Sequence, residues 1–225
     1  MKISGTLYDA TFVNSRKYGR HVRAPRGTYK KAQVNTTLSK NASRADVVAQ
    51  TAKVVHDHIK TICAPYFKQS DLWPEFLKRL FKAESMALGD LLGSLTGLEM
   101  NSKYLLSTLI VPQLFTAVSK RQLDIQLAFQ HHPLFPKKIG ADSYFYTLHL
   151  LFINQKGEAI DTDGIETEWV QLQDLVPQYE LSFEMPAKAH YYILILEVAA
   201  GLNNVPLDVL PGKGMRVMEV GSVNR

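Results

Sequence analysis

The chain has 225 residues, 46% of them hydrophobic, and a formal net charge of +5. That composition allows one large or two small folded domains and excludes a disordered chain; a single cysteine, Cys63, excludes an internal disulfide framework and a multi-thiolate zinc site. The charge is unevenly spread: residues 1–45 hold ten basic residues against Asp9 alone, a net of +9, which leaves 16 basic and 20 acidic residues, a net of −4, in 46–225. Such a split points to an acidic polymer, an acidic membrane surface or an acidic protein surface as partner.

At the N-terminus, "KISGTLYDATFV" alternates apolar and polar positions, which predicts a short strand and carries no signal-peptide pattern. The stretch "SRKYGRHVRAPRGTYKKAQVN" at 15–35 follows, with many cations and no acid. Written as a strand, Tyr18, Arg20, Val22 and Ala24 share one face, and Lys17, Gly19, His21 and Arg23 the other, so charge falls on both. Written as a helix, it is interrupted by Gly19, Pro25 and Gly27. The expectation is an extended basic arm.

Residues 43–111 are expected to be helical. Ser43 and Asp46 form a start resembling a capping box, and Val47, Thr51, Val54, Val55, Ile59 and Ile62 then make one helical stripe that Pro65 ends. A second helix is expected from about Asp71, with Pro74 in its first turn, Leu72, Phe76, Leu77, Leu80, Phe81 and Leu88 as its stripe, and Gly89 as its stop. Two apolar stripes on successive helices predict an antiparallel hairpin. From 90 to 111 the periodicity fades, and Gly93 and Gly97 suggest a crossing loop.

Residues 112–225 are expected to be strands. "QLDIQLAFQ" alternates with Leu123, Ile125, Leu127 and Phe129 inward, and "SYFYTLHLLFIN", "ETEWVQL", "YELSFEM", "HYYILILEVA" and "GMRVMEV" continue the series between turn residues. No helix-length segment separates them, so the expectation is an antiparallel β-sandwich of immunoglobulin or fibronectin type, without the cysteine pair of antibody domains. The fold class is therefore α+β in three parts: 1–42 strand and arm, 43–111 helical, 112–225 sandwich. "YYILILEVAA" is too short to span a membrane and contains Glu197; no membrane span and a cytoplasmic chain are expected.

No motif selects a catalytic residue. His56 and His58 lie about 200° apart around a helix, and the adjacent His131 and His132 point to opposite faces of a strand end, so neither pair shares a metal. "DTDG" at 161–164 lacks the remaining ligand positions of a calcium loop and is expected to be a polar turn. "PGKGMR" at 211–216 lacks the strand before and helix after it that a phosphate cradle uses, and is expected to be a hairpin turn. No nucleophile elbow, phosphate loop or dinucleotide fingerprint occurs, so no catalytic residue, metal or cofactor is assigned.

The arm stands out. Arg16, Arg20, Arg23 and Arg26 offer bidentate forks to phosphate, Lys17, Lys30 and Lys31 add point charges, and Tyr18, His21 and Tyr29 are suited to stack on bases or cover sugars. The expected function is non-catalytic binding of nucleic acid or another polyanion. Two alternatives stay open: the arm packs on the −4 remainder of its own chain, or it packs on a neighbouring subunit in a phage- or secretion-related assembly.

Tyr18, Gly19, Arg23, Pro25, Arg26, Gly27 and Tyr29, with the closing "GMRVMEVGSV", resemble a family of uncharacterised Bacteroidetes proteins. Those have a Gly/Tyr/basic N-terminal element, a helical middle and an immunoglobulin-like end. The resemblance implies that order of parts and brings no activity or site residues with it.

Overall fold

The computed structural model describes residues 5–7, 10–15, 19–23, 36–63, 69–101 and 103–223. It divides into two compact units, 1–42 and 43–225. Helix and antiparallel sheet are mixed, as an α+β chain requires.

In the first unit, β1 (Gly5–Leu7), β2 (Ala10–Ser15) and β3 (Gly19–Arg23) form an antiparallel meander. Part of the expected arm is thus a strand. The register explains the difference: Val22 lies opposite Phe12 and Arg20 opposite Asn14, while Phe12 lies opposite Gly5 and Ala10 opposite Leu7. Read alone, β3 lacks an apolar face; its backbone pairing with β2 is what makes it a strand.

α1 (Thr36–Cys63) begins seven residues before the expected Ser43 start. Thr36, Thr37, Leu38 and Ser39 place no breaker there, so the cap-like Ser43 is simply passed through. In the second unit, Val48, Ala52, Val55 and Ile59 of α1 pack with Leu72, Phe76 and Leu80 of α2 (Gln69–Leu80). Arg44 donates to the Phe81 carbonyl at 2.9 Å while His56 meets Trp73 and Phe76, so the two helices run antiparallel. The short α3 (Leu88–Gly93) adds Leu91 and Leu92 to the same core.

The chain then crosses. The backbones of Gly97, Leu98 and Met100 hydrogen-bond those of Met215 and Val217, and Glu99 accepts the first N–H groups of α4 (Leu106–Leu109), from Leu106 at 2.8 Å and Ser107 at 3.1 Å. Gly97 has φ +78°, a conformation glycine adopts freely, and Arg79 donates to its carbonyl and that of Thr96.

The strands are β4 (Pro112–Ser119), β5 (Gln122–Phe129), β6 (Ser143–Ile153), β7 (Ala159–Glu166), β8 (Val170–Gln171), β9 (Gln178–Glu184), β10 (Tyr191–Leu202), β11 (Val205–Pro206) and β12 (Lys213–Ser222). β6 and β10 form the centre of one sheet, with β7 and β8 along the outer side of β6 and β11 and β12 along the outer side of β10; β4, β5 and β9 make a second sheet. "DTDG" lies inside β7 rather than in a turn, because its backbone pairs with β6 through 161–164 while its side chains stay exposed. "PGKGMR" runs from a short 3-10 turn (Leu210–Gly212) directly into β12.

Alternation along β6 and β10 divides the core in two. Leu151, Ile153, Ile193 and Ile195 face the helices, whereas Tyr146, Leu148, Leu150, Tyr192, Leu194 and Leu196 face Leu123, Ile125, Leu127 and Phe183 of the second sheet. Three layers result: helices, central sheet, outer sheet. Each large apolar side chain so buried contributes about 1.5–3 kcal/mol against exposure, before conformational entropy is subtracted.

Candidate functional site

Of the cations expected to bind a polyanion, Arg20, His21 and Arg23 fall in β3, an outer strand of the meander. Arg16, Lys17, Tyr18, Arg26, Tyr29, Lys30 and Lys31 lie outside the described residues.

The second unit holds a polar row that periodicity did not reveal. Glu197 is the one charged residue of β10, a strand buried along nearly its whole length, and is itself 6% exposed. His149 on β6 places Nε2 3.1 Å from Glu197 Oε2, so that nitrogen carries the proton and donates. Gly164 of β7 lies across from His149; any side chain there would abut Nδ1 and the Leu148 carbonyl. Lys213 lies opposite Ala199, two positions along from Glu197 on the same face, and donates from Nζ to Asp208 at 3.2 Å. A carboxylate-oriented imidazole is suited to accept a proton, but no third metal-ligating group joins it among the described residues. The signal legible in sequence was Glu197 itself, a carboxylate within "YYILILEVAA".

A second polar cluster pins the two sheets. Tyr192 donates to Glu219 Oε1 at 2.6 Å and Thr116 of β4 donates to the same oxygen at 2.8 Å. Burial and this hydrogen bond push the Tyr192 phenol up to about 12. Gly221 is required beside it, since a methyl group there would overlap the Tyr192 ring. Farther along the inter-sheet core, Phe129 stacks on Tyr146 at 4.2 Å, Tyr144 approaches Tyr146 edge-on, and His132 joins Tyr144 through Nδ1 at 2.9 Å and the Asp174 carbonyl through Nε2 at 2.9 Å. Desolvation pushes the Tyr144, Tyr146 and Tyr179 phenols up.

The remaining histidines considered as ligands are packed. His56 meets the rings of Trp73 and Phe76 edge-on, His58 donates from Nδ1 to the Val54 carbonyl at 2.9 Å, and His131 donates from Nδ1 to the His132 carbonyl at 2.7 Å. An open cavity of about 290 Å³ lies between α1, α3 and the β6–β7 turn, floored by Val47, Val54 and Leu91 and rimmed by Gln50, Lys156 and Glu158. No helix among the described residues is long and apolar enough to cross a membrane.

No protein-family profile matches the chain, and no curated protein matches it in sequence. A solved structure of a hypothetical protein from Pyrococcus horikoshii is 12% identical over 51% of this chain and 86% of that one, with a TM-score of 0.25. That likeness is too loose to establish a common fold.

Proposed function

We propose that this is a non-catalytic binding protein whose basic N-terminal unit engages a polyanion such as nucleic acid. The observation that carries the reading is the charge split, +9 in residues 1–45 against −4 in the remainder, concentrated where β3 is an outer strand of a small sheet. Arginine forks bind phosphate bidentately, and tyrosines at 18 and 29 supply faces on which any base stacks, so binding is sequence-tolerant. The two packed antiparallel sheets support kinship with immunoglobulin- and fibronectin-type domains, and the resemblance to the Bacteroidetes family belongs to this same proposal, as does a cytoplasmic setting.

Binding to single-stranded and duplex DNA is expected to weaken steeply with salt. Replacing Arg16, Arg20, Arg23 and Arg26 by glutamine is expected to flatten the log–log salt slope by up to about 3.6 for four phosphate contacts. An unchanged slope overturns the reading.

A second reading is favoured by a different observation. Three strands of three, six and five residues are near the lower limit of what stands alone in water. In this reading the chain is a component of an assembly whose basic unit packs on a neighbouring subunit.

A further inference from the structure

α1 carries more apolar surface than the helical core takes up. Val48, Ala52, Val55 and Ile59 join that core, and beside them runs a second stripe, Val47, Thr51 and Val54, at the i, i+4, i+7 spacing of one helix face. This second stripe is a wall of the open cavity of about 290 Å³, which Met86, Leu88 and Leu91 also line and the turn 155–158 between β6 and β7 borders. Val47 stays 39% exposed. Polar groups converge on the apolar floor. Gln50, Thr51 and Lys156 line the cavity, and their side chains have no hydrogen bond or ion pair among the described residues. Asn154 presets the turn: its Oδ1 accepts from the backbone N–H groups of Lys156 at 2.9 Å and Glu158 at 3.0 Å, and its Nδ2 donates to Glu158 Oε2 at 2.8 Å. The one carboxylate of the lining is therefore engaged, while the ammonium stands open.

We propose that this cavity binds a small amphiphile with a single anionic head, of the class of a medium-chain carboxylate. Val47, Val54, Leu88 and Leu91 take the alkyl chain, Lys156 pairs with the head at the rim, and Gln50 and Thr51 supply further donors. Size selects the class: a volume of about 290 Å³ is at the low end for ligand pockets and suits a ligand of about ten non-hydrogen atoms. Charge selects the sign, because Lys156 is the lining's unengaged ion and a cationic head would meet it as a like charge. The ion pair forms at an exposed rim, so it adds selectivity more than affinity. A ligand of that size is expected to bind at roughly 0.1–1 mM. The site lies within the second unit and does not depend on the polyanion reading.

The test is calorimetric titration of the full chain with octanoate, octyltrimethylammonium and acetate at one ionic strength. Octanoate is expected to bind in the range above. Acetate, which lacks the chain, is expected to show no binding, and octyltrimethylammonium, which inverts the head charge, to bind at least about fivefold more weakly. K156E is expected to weaken octanoate binding about fivefold or more, and T51W, whose ring would occupy the cavity, to abolish it. K138E, the same charge change in the 3-10 turn Lys137–Ile139 outside the cavity, is expected to bind octanoate like wild type. Thermal melts establish that each variant is folded, and K156E, on an exposed turn, carries the test if T51W does not fold. Absence of octanoate binding, equal binding of octyltrimethylammonium, full affinity in K156E or in folded T51W, or an equal loss in K138E overturns the site.

Discussion

Glu197 sits midway along a strand whose two faces are both covered, where an unpaired carboxylate is expensive, and His149 donates to it at 3.1 Å. Its alternation with Ile193 and Ile195 directs it to the helix side of the sheet, among apolar neighbours. Removing it leaves the imidazole N–H without its acceptor. Glu197→Ala is expected to cost about 1–3 kcal/mol in urea unfolding, while Glu197→Gln, which keeps an acceptor oxygen, costs distinctly less. Equal losses in the two variants would show that packing, not the hydrogen bond, holds the residue. The same scale explains why "DTDG" is strand rather than the expected turn: its backbone is paired with β6 while its aspartates stay solvated.

At the scale of elements, β12 carries a bulge that decides which core each of its last residues joins. Val217 lies opposite Ile195 and Glu219 opposite Leu194, so Met218 is the extra residue. Because of it, Val217 and Val220 meet the helix-side core while Glu219 reaches Tyr192 and Thr116 on the other side. Deletion of Met218 leaves these pairings in place and is expected to cost only its packing, about 1–3 kcal/mol. Deletion of Leu196, in the regular part of β10, reverses the faces of every residue on one side of the cut and is expected to abolish cooperative folding. Circular dichroism melts of the two deletions check this, and similar behaviour would refute the bulge assignment. Helix boundaries behaved differently from strand faces. The stripe of α1 was legible only in part: Val55 and Ile59 are buried as expected, but the core takes Val48 and Ala52 while Val47 is exposed, and the exposed residues 39–44 leave no periodic trace in the sequence.

For the molecule as a whole, the inter-sheet core joins β6 and β10 to the outer sheet through a set of buried phenols. Tyr192 has its pKa raised from 10.0 to about 12, and Tyr144, Tyr146 and Tyr179 are raised as well, all first by desolvation. A raised pKa means that the folded state prefers the neutral phenol. The contribution is therefore fully present below pH 10, the unfolded value, and is lost as pH rises through the folded one. Stability attributable to Tyr192 should hold up to pH 10 and decline towards about pH 12, and Tyr192→Phe should lessen that decline. Phenolate absorbance followed beside the unfolding midpoint checks it: of the ten tyrosines, the buried four should ionise only as the second unit unfolds. Ionisation of all ten in the native state would contradict the inter-sheet packing.

The sequence by itself determined the α+β class, the antiparallel helical pair, most strands, and the concentration of cations before residue 45, because periodicity and charge are local properties of the chain. Tertiary structure decided the rest. Whether β3 stands alone or completes a meander depends on a partner strand, and whether "YYILILEVAA" has one covered face or two depends on helices drawn from a hundred residues earlier. The pairing of His149 with Glu197 joins positions 48 residues apart in the chain, and the outer sheet joins β5 to β9 across 58, from Asp124 to Ser182. Separations of that length leave no signature in a single sequence, since only the sheet register brings such residues to one face.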